Sequence, residues 1–189
     1  MAEPTDKGYK LSDDGKTLTI SNLGKSPTLK VMLIEGEDED IYKTIEKIEF
    51  TETVTKIPPI FCHGMETLKT LTLTLPKTLT EIGNEAFKKC FSLKTVNFKD
   101  YTGLTKIGDK AFYECNALEN YTRAIEADEN RLEFDLPPNI EEIGDEAFYR
   151  EKTWDEAALK DILGKTIVFP KSLKKRRRRV LVFNIIFSL

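Results

Sequence analysis

The chain has 189 residues, enough for one ordinary domain with a sizeable core. Apolar residues make up 40% and charged residues 32%, a balance that excludes a wholly disordered chain. The formal charge of −3 becomes −9 once the six positive charges of residues 174–179 are set aside, so the body is acidic and nucleic acid is not its expected general partner.

The N-terminus, MAEPTDKGYK, lacks the apolar core of a secretory signal. That leaves open an internal location, another export route, or a leader that this chain does not carry; a cytoplasmic location fits the first. No window reaches the roughly 18–20 apolar residues of a membrane-spanning helix, so no transmembrane helix is expected. Residues 1–44 read as N-terminal strands and an acidic linker. The run EGEDED at 35–40 lacks the spaced ligands and bend glycine of a calcium loop and reads as solvated linker.

From residue 45 the chain repeats itself. LKTLTLTLPKTLTEIGNEAFKKC, from Leu68, aligns with LKTVNFKDYTGLTKIGDKAFYEC, from Leu93, and with LEFDLPPNIEEIGDEAFYR, from Leu132. Ile82 and Ile107 are 25 residues apart, as are Phe87 and Phe112, and Cys90 and Cys115. Ile143 and Phe148 follow Ile107 and Phe112 after 36 residues, which places an insertion at 119–131 that reads as a polar loop. A weaker first copy, IEKIEFTETVTKIPPIF, sets Ile57 on Ile82 and Phe61 on Phe87. A second insertion, 150–165, carries apolar residues at helical spacing, and TIVFPKSL then matches LTLPKTL.

A period of 25 residues predicts a repeat solenoid of leucine-rich-repeat type, about four repeats over 45–173. Short parallel β-strands line its concave face, with Leu71 and Leu73 inward and the threonines outward. Turns and short helical pieces form the other side. Gly83 and Gly108 are expected to permit a backbone bend, and Ala86, Ala111 and Ala147 a close approach of coils.

The phrase Ile-Gly-x-x-Ala-Phe-x-x-Cys-x-x-Leu, preceded by Leu-Pro-x-x-Leu, resembles the BspA-like leucine-rich repeat family. LPKTLTEIGNEAFKKCFSL, residues 75–93, is close to its consensus. YKLSDDGKTLTISNLG looks like the strand-turn-strand segment that precedes such repeats, which implies an antiparallel N-terminal cap hairpin. The resemblance implies a non-catalytic protein-binding or adhesion module, on the cell surface or secreted. Its partner would be a protein, such as a host or extracellular-matrix protein, with no small-molecule substrate and no cofactor. Two other readings stay open: an intracellular scaffold or regulatory protein of the same fold, and a basic tail that mediates nuclear import or nucleic-acid contact.

On the expected concave face the outward positions are Lys47, Glu49 and Thr51; Thr70, Thr72 and Thr74; Thr95, Asn97 and Lys99; and Arg131, Glu133 and Asp135. They form the candidate binding surface, although solvated strand residues would read the same way. The insertion 119–131 could also bind, and Asn120-Tyr121-Thr122 would accept a glycan in a secretory pathway. No catalytic residues are expected: there is one histidine, His63, and no nucleophile elbow or phosphate loop. Cys90 and Cys115 read as stacked core thiols. A zinc site needs about four ligands, and Cys62 is out of register with these two while His63 is the one histidine, so no metal is expected.

The tail, residues 174–189, is basic and then apolar. By register Arg176 falls where a core Ile belongs and Leu181 where a Phe belongs, so a repeat is begun and abandoned. The tail is an end cap, a free or disordered arm carrying a targeting signal, or the product of a slipped reading frame.

Overall fold

The computed structural model describes residues 8–23, 28–35, 44–65, 71–96, 98–118, 122–125, 128–134, 136–149 and 166–176. Insertion 150–165, most of the acidic linker, Asn120 and the tail beyond Arg176 lie outside them. The strands are β1 (Tyr9–Leu11), β2 (Thr17–Ile20), β3 (Lys47–Phe50), β4 (Lys56–Ile57), β5 (Leu71–Thr74), β6 (Glu81–Ile82), β7 (Leu93–Thr95), β8 (Lys106–Ile107), β9 (Thr122–Ile125), β10 (Asp128–Phe134), β11 (Glu142–Ile143), β12 (Thr166–Val168) and β13 (Lys175–Arg176). One helix, α1 (Leu29–Glu35), and a 3₁₀ turn at Phe98–Asp100 complete the described elements.

The chain winds through two sheets. The first has the order β1-β2-β3-β5-β7, antiparallel between β1 and β2 and parallel beyond. The second has the order β4-β6-β8-β11-β13, all parallel and two residues per strand. Strand alternation sorts the side chains: in β3, Ile48 and Phe50 are buried while Lys47 and Glu49 are half-exposed. Apolar side chains from both sheets meet between them in one core, which buries no polar or charged residue among those described.

The turns are bonded coil to coil as well. Gly83 N donates to Ile57 O (2.9 Å), Gly108 N to Ile82 O (2.8 Å) and Gly144 N to Ile107 O (2.9 Å). Further on, Cys62 N donates to Ala86 O, Phe87 N to Ala111 O and Phe112 N to Ala147 O, at 2.7–2.8 Å. Backbone groups that a lone coil would leave unpaired are thus satisfied by a neighbour, which is why no repeat is stable alone.

Four expectations are revised. First, the cross-coil bonds place Cys62, not Phe61, on Phe87, and Phe61 on Ala86. The first coil exchanges its large and small core residues, and Phe61 reaches Phe50 instead, with ring centroids 6.1 Å apart. Second, the repeat glycines are not the bends. The left-handed backbone falls two residues later, on Ile60, Glu85, Lys110 and Glu146 (φ 54–57°), and again on Gly64, Lys89 and Glu114 (φ 56–70°). Gly83, Gly108 and Gly144 are needed because each backbone is pressed against the preceding coil.

Third, the insertion read as a loop is a hairpin: β9 pairs antiparallel with β10, Thr122 facing Phe134 and Ala124 facing Leu132. Its β-branched Thr122 and Ile125 suit a pleated strand better than the polar average suggested. Fourth, the third coil slips. Lys47 and Thr72 pair at the 25-residue period, but Thr72 pairs with Thr95 rather than Asn97. Asp100 stands where the second coil has Leu75, and a carboxylate cannot enter the core uncompensated. The chain leaves the strand for the 3₁₀ turn instead, with Asp100 exposed and Phe98 fully buried. The shift is three residues at the Leu71–Leu93 pair and two at Thr72–Thr95, with an irregularity between the two pairs. Among the described residues no ladder joins β7 to β10; β10 belongs to a third sheet, β12-β10-β9.

Candidate functional site

The outer face of the first sheet gathers part of the predicted surface. Register sets Thr17, Lys47, Thr72 and Thr95 in one row and Thr19, Glu49 and Thr74 in the next. Thr74 is exposed and Thr51, just after β3, is half-exposed. Thr51 is tied down: its amide donates to Ile20 O (2.9 Å), and its hydroxyl shares a 2.6 Å bond with that of Thr53. Thr17 and Thr19 are additions that the repeat alignment missed. Their signal was the alternation Thr-Leu-Thr-Ile, which matches a sheet edge without matching the repeat.

Not every predicted residue joins this face. Arg131 and Glu133 lie on β10 in the third sheet, opposite Thr166 and Val168. Lys99 sits in the 3₁₀ turn rather than on a strand, a consequence of the slip at Asp100. Thr70, Asn97 and Asp135 lie outside the described residues.

The face is hydroxyl-rich; Lys47 and Glu49 form an ion pair with each other, and the exposed Lys10, opposite Thr19, extends the second row. Threonine is stiff at χ1, so a row of threonines on a hydrogen-bonded sheet loses little freedom when a partner docks.

The three thiols are core elements. Cys62, Cys90 and Cys115 are each 1% exposed. The Cys90 thiol donates to Cys62 O (3.1 Å) and the Cys115 thiol to Phe87 O (3.0 Å), the same contact one coil apart. Burial pushes the Cys90 thiol up to about 12 and the Cys62 thiol well above its ordinary value. Reactive cysteines need thiolate character and access; Cys62 and Cys90 have neither, and Cys115 lacks access. The expected result is that a thiol-specific dye modifies none of the three in the native protein and all three in denaturant. Rapid native labelling of Cys90 would contradict the packing. Among the described residues, no three His, Cys, Asp or Glu side chains converge as a metal site. His63 Nδ1 lies 3.7 Å from Glu85 Oε2 on the surface.

The second sheet carries an alternating charge row, Lys56, Glu81, Lys106, Glu142 and Lys175, all in register. Lys56 and Lys106 both reach Glu81 (3.1 and 2.8 Å), and Lys175 reaches Glu142 (3.0 Å). The Lys106 contact holds the Glu81 carboxyl below its ordinary range despite partial desolvation. Glu52 is held low chiefly by the backbone amide of Lys77, with Thr78 adding a second.

Carboxyls depressed in the folded state stabilise it above their unfolded pKa, and that contribution fades as pH falls through the lower folded value. The thermal midpoint should therefore hold from pH 7 to about 5 and decline below about 4.5, where unfolded glutamates begin to protonate. In Glu52→Gln/Glu81→Gln the acid decline should be shallower. An identical decline in that variant would place the acid sensitivity elsewhere.

Comparison with known proteins places this geometry. The family model described as BspA type leucine rich repeat region matches residues 41–156, in six copies. No curated protein matches the chain. Among solved structures, the Leucine Rich Repeat protein of T. pallidum is 22% identical, with 79% of this chain and 67% of that one covered and a TM-score of 0.48. A leucine rich cell surface protein from Faecalibacterium prausnitzii A2-165 is 17% identical, with 94% of this chain but 45% of that one covered and a TM-score of 0.50. The chain thus spans under half of the second protein's length, and likeness at this identity concerns the fold alone.

Proposed function

The chain belongs to the BspA-type leucine-rich repeat family, and from that premise we propose that it is a non-catalytic protein-binding module acting through the outer face of its first sheet. The observation that carries the reading is the pair of in-register rows holding Thr17 and Thr19, a polar surface on a hydrogen-bonded sheet in which Lys47 and Glu49 satisfy each other. Such a surface recognises a partner by hydrogen bonding and shape rather than by net charge. A partner protein outside the cell, host or matrix, makes the role adhesive; the same face inside a cell serves a scaffold.

Purified matrix proteins such as collagen, fibronectin and laminin, passed over the immobilised chain, test the adhesive form. Saturable binding of at least one is expected, with an affinity that changes little between 50 and 200 mM salt, unlike a phosphate-contacting tail. Thr74→Arg should weaken that binding about tenfold or more while stability changes by less than about 0.5 kcal/mol, as expected of an exposed strand residue. Binding that ignores Thr74→Arg would move the site off this face. Failure of every matrix protein to bind would remove the adhesive reading.

A further inference from the structure

Five coils share one bonded turn. Val54 N donates to Thr51 O, Leu79 N to Pro76 O, Leu104 N to Tyr101 O, Ile140 N to Pro137 O and Leu173 N to Pro170 O, at 3.0–3.2 Å. The third residue of the turn reaches back to a carbonyl of the preceding segment. Thr53 Oγ1 donates to Ser21 O (2.6 Å), Thr78 Oγ1 to Glu52 O (2.8 Å), Asn139 Nδ2 to Thr102 O (2.8 Å) and Ser172 Oγ to Pro138 O (3.0 Å). The third coil has Gly103 at this position and no side chain to donate. Its acceptors are in place: a Cβ on Gly103 would lie 3.2 Å from Lys77 O and 3.2 Å from Leu79 O. These carbonyls are 25 residues on from Glu52 O and Val54 O, which the Thr78 hydroxyl meets at 2.8 and 3.3 Å.

A second clamp is missing from the same junction. The Glu52 carboxylate holds the Lys77 and Thr78 amides of the second turn (3.2 and 3.1 Å). One coil on, the residue in that place is Lys77, a cation that cannot accept from an amide. The strand ladder is thin here too: β5 and β7 share two pairs with an irregularity between them, where β3 and β5 share three. Beyond those pairs the buried Tyr101 hydroxyl crosses the junction and accepts from Leu75 N (3.1 Å). On the second sheet the junction keeps its bonds. Thr105 N donates to Thr80 O (3.0 Å) and Gly108 N to Ile82 O (2.8 Å), as Thr80 N does to Thr55 O and Gly144 N to Ile107 O.

We propose that the junction of the second and third coils is a hinge: its first-sheet side opens around Gly103 and Tyr101, and the second sheet is the pivot. Hinges fall where few bonds cross and where a small residue absorbs the rotation. Opening moves β7 relative to β3 and β5, so the candidate face can adjust its shape at this one junction.

Native-state hydrogen exchange of the full-length chain tests this without a variant. Leu79, Leu104 and Ile140 are all fully buried, and their amides make the same turn bond. In the wild type the protection factor of Leu104 should fall about tenfold or more below those of Leu79 and Ile140, while Gly108 stays as protected as Gly144. Gly103→Ser supplies the missing donor. It should raise the Leu104 protection factor about fivefold relative to Gly103→Ala and leave Gly108 unchanged. Leu104 as protected as Leu79 and Ile140 in the wild type would overturn the proposal. So would equal protection of Leu104 and Gly108, which would mean that the whole junction opens together. A Gly103→Ser variant no better protected at Leu104 than Gly103→Ala would do the same.

Discussion

Replacing Phe112 by alanine is expected to cost about 3–5 kcal/mol. Phe112 is 1% exposed and sits at the centre of an aromatic column. Phe87 stacks on one side (5.2 Å, 14° between planes) and Phe148 on the other (5.4 Å, 2°). Phe98 meets it edge-on at 5.4 Å and 84°. Truncation removes the transfer energy of the ring and leaves a void between coils whose positions are fixed by backbone bonds, so collapse is limited. Domains of this size are stable by only about 5–15 kcal/mol, so the variant should show a marked fall in urea midpoint by circular dichroism. Phe112→Leu, which fills most of the void, should lose less than half as much. A loss below about 1 kcal/mol for Phe112→Ala would mean the column is not continuous.

Gly83→Ala comes next, at about 3 kcal/mol or more, because overpacking against backbone has no side chain to give way. The added Cβ would lie 2.5, 2.8 and 2.9 Å from Pro59 N, Pro58 C and Ile57 O. The two prolines make that strip of chain stiff, so the first and second coils must separate and strain the Gly83–Ile57 bond. Gly15→Ala is the control. Gly15 has φ +70° and nothing within 4 Å of its Cβ, so it should lose only the left-handed strain, about 1 kcal/mol. If the two cost the same in a melting experiment, glycine at 83 serves backbone freedom and not coil approach.

That distinction shows how far the sequence carried. The spacing of Ile82, Ile107 and Ile143, and of Phe87, Phe112 and Phe148, announced the coils because each stacked position must be apolar for the next to pack. It took Gly83 and Gly108 for backbone bends, which they are not, because crowding between coils 25 residues apart is a property of the assembled backbone. The candidate face was legible to the same extent. Lys47, Glu49, Thr72, Thr74 and Thr95 could be assigned to strands by alternation, and Thr17 and Thr19 could not because they lie outside the repeat.

The sequence by itself determined the family, the period, the inward and outward residues of the regular coils and the end of the pattern near Arg176. Those follow from local periodicity, which every copy states independently. Only the tertiary structure decided that Phe61 and Cys62 exchange places, that Asp100 turns the third coil out of its strand, and that the polar insertion pairs as a hairpin. Each of these depends on what stands opposite a residue in the neighbouring coil. Contacts between coils are set by shape and by backbone pairing across 25 or more residues, and no window of sequence contains both partners.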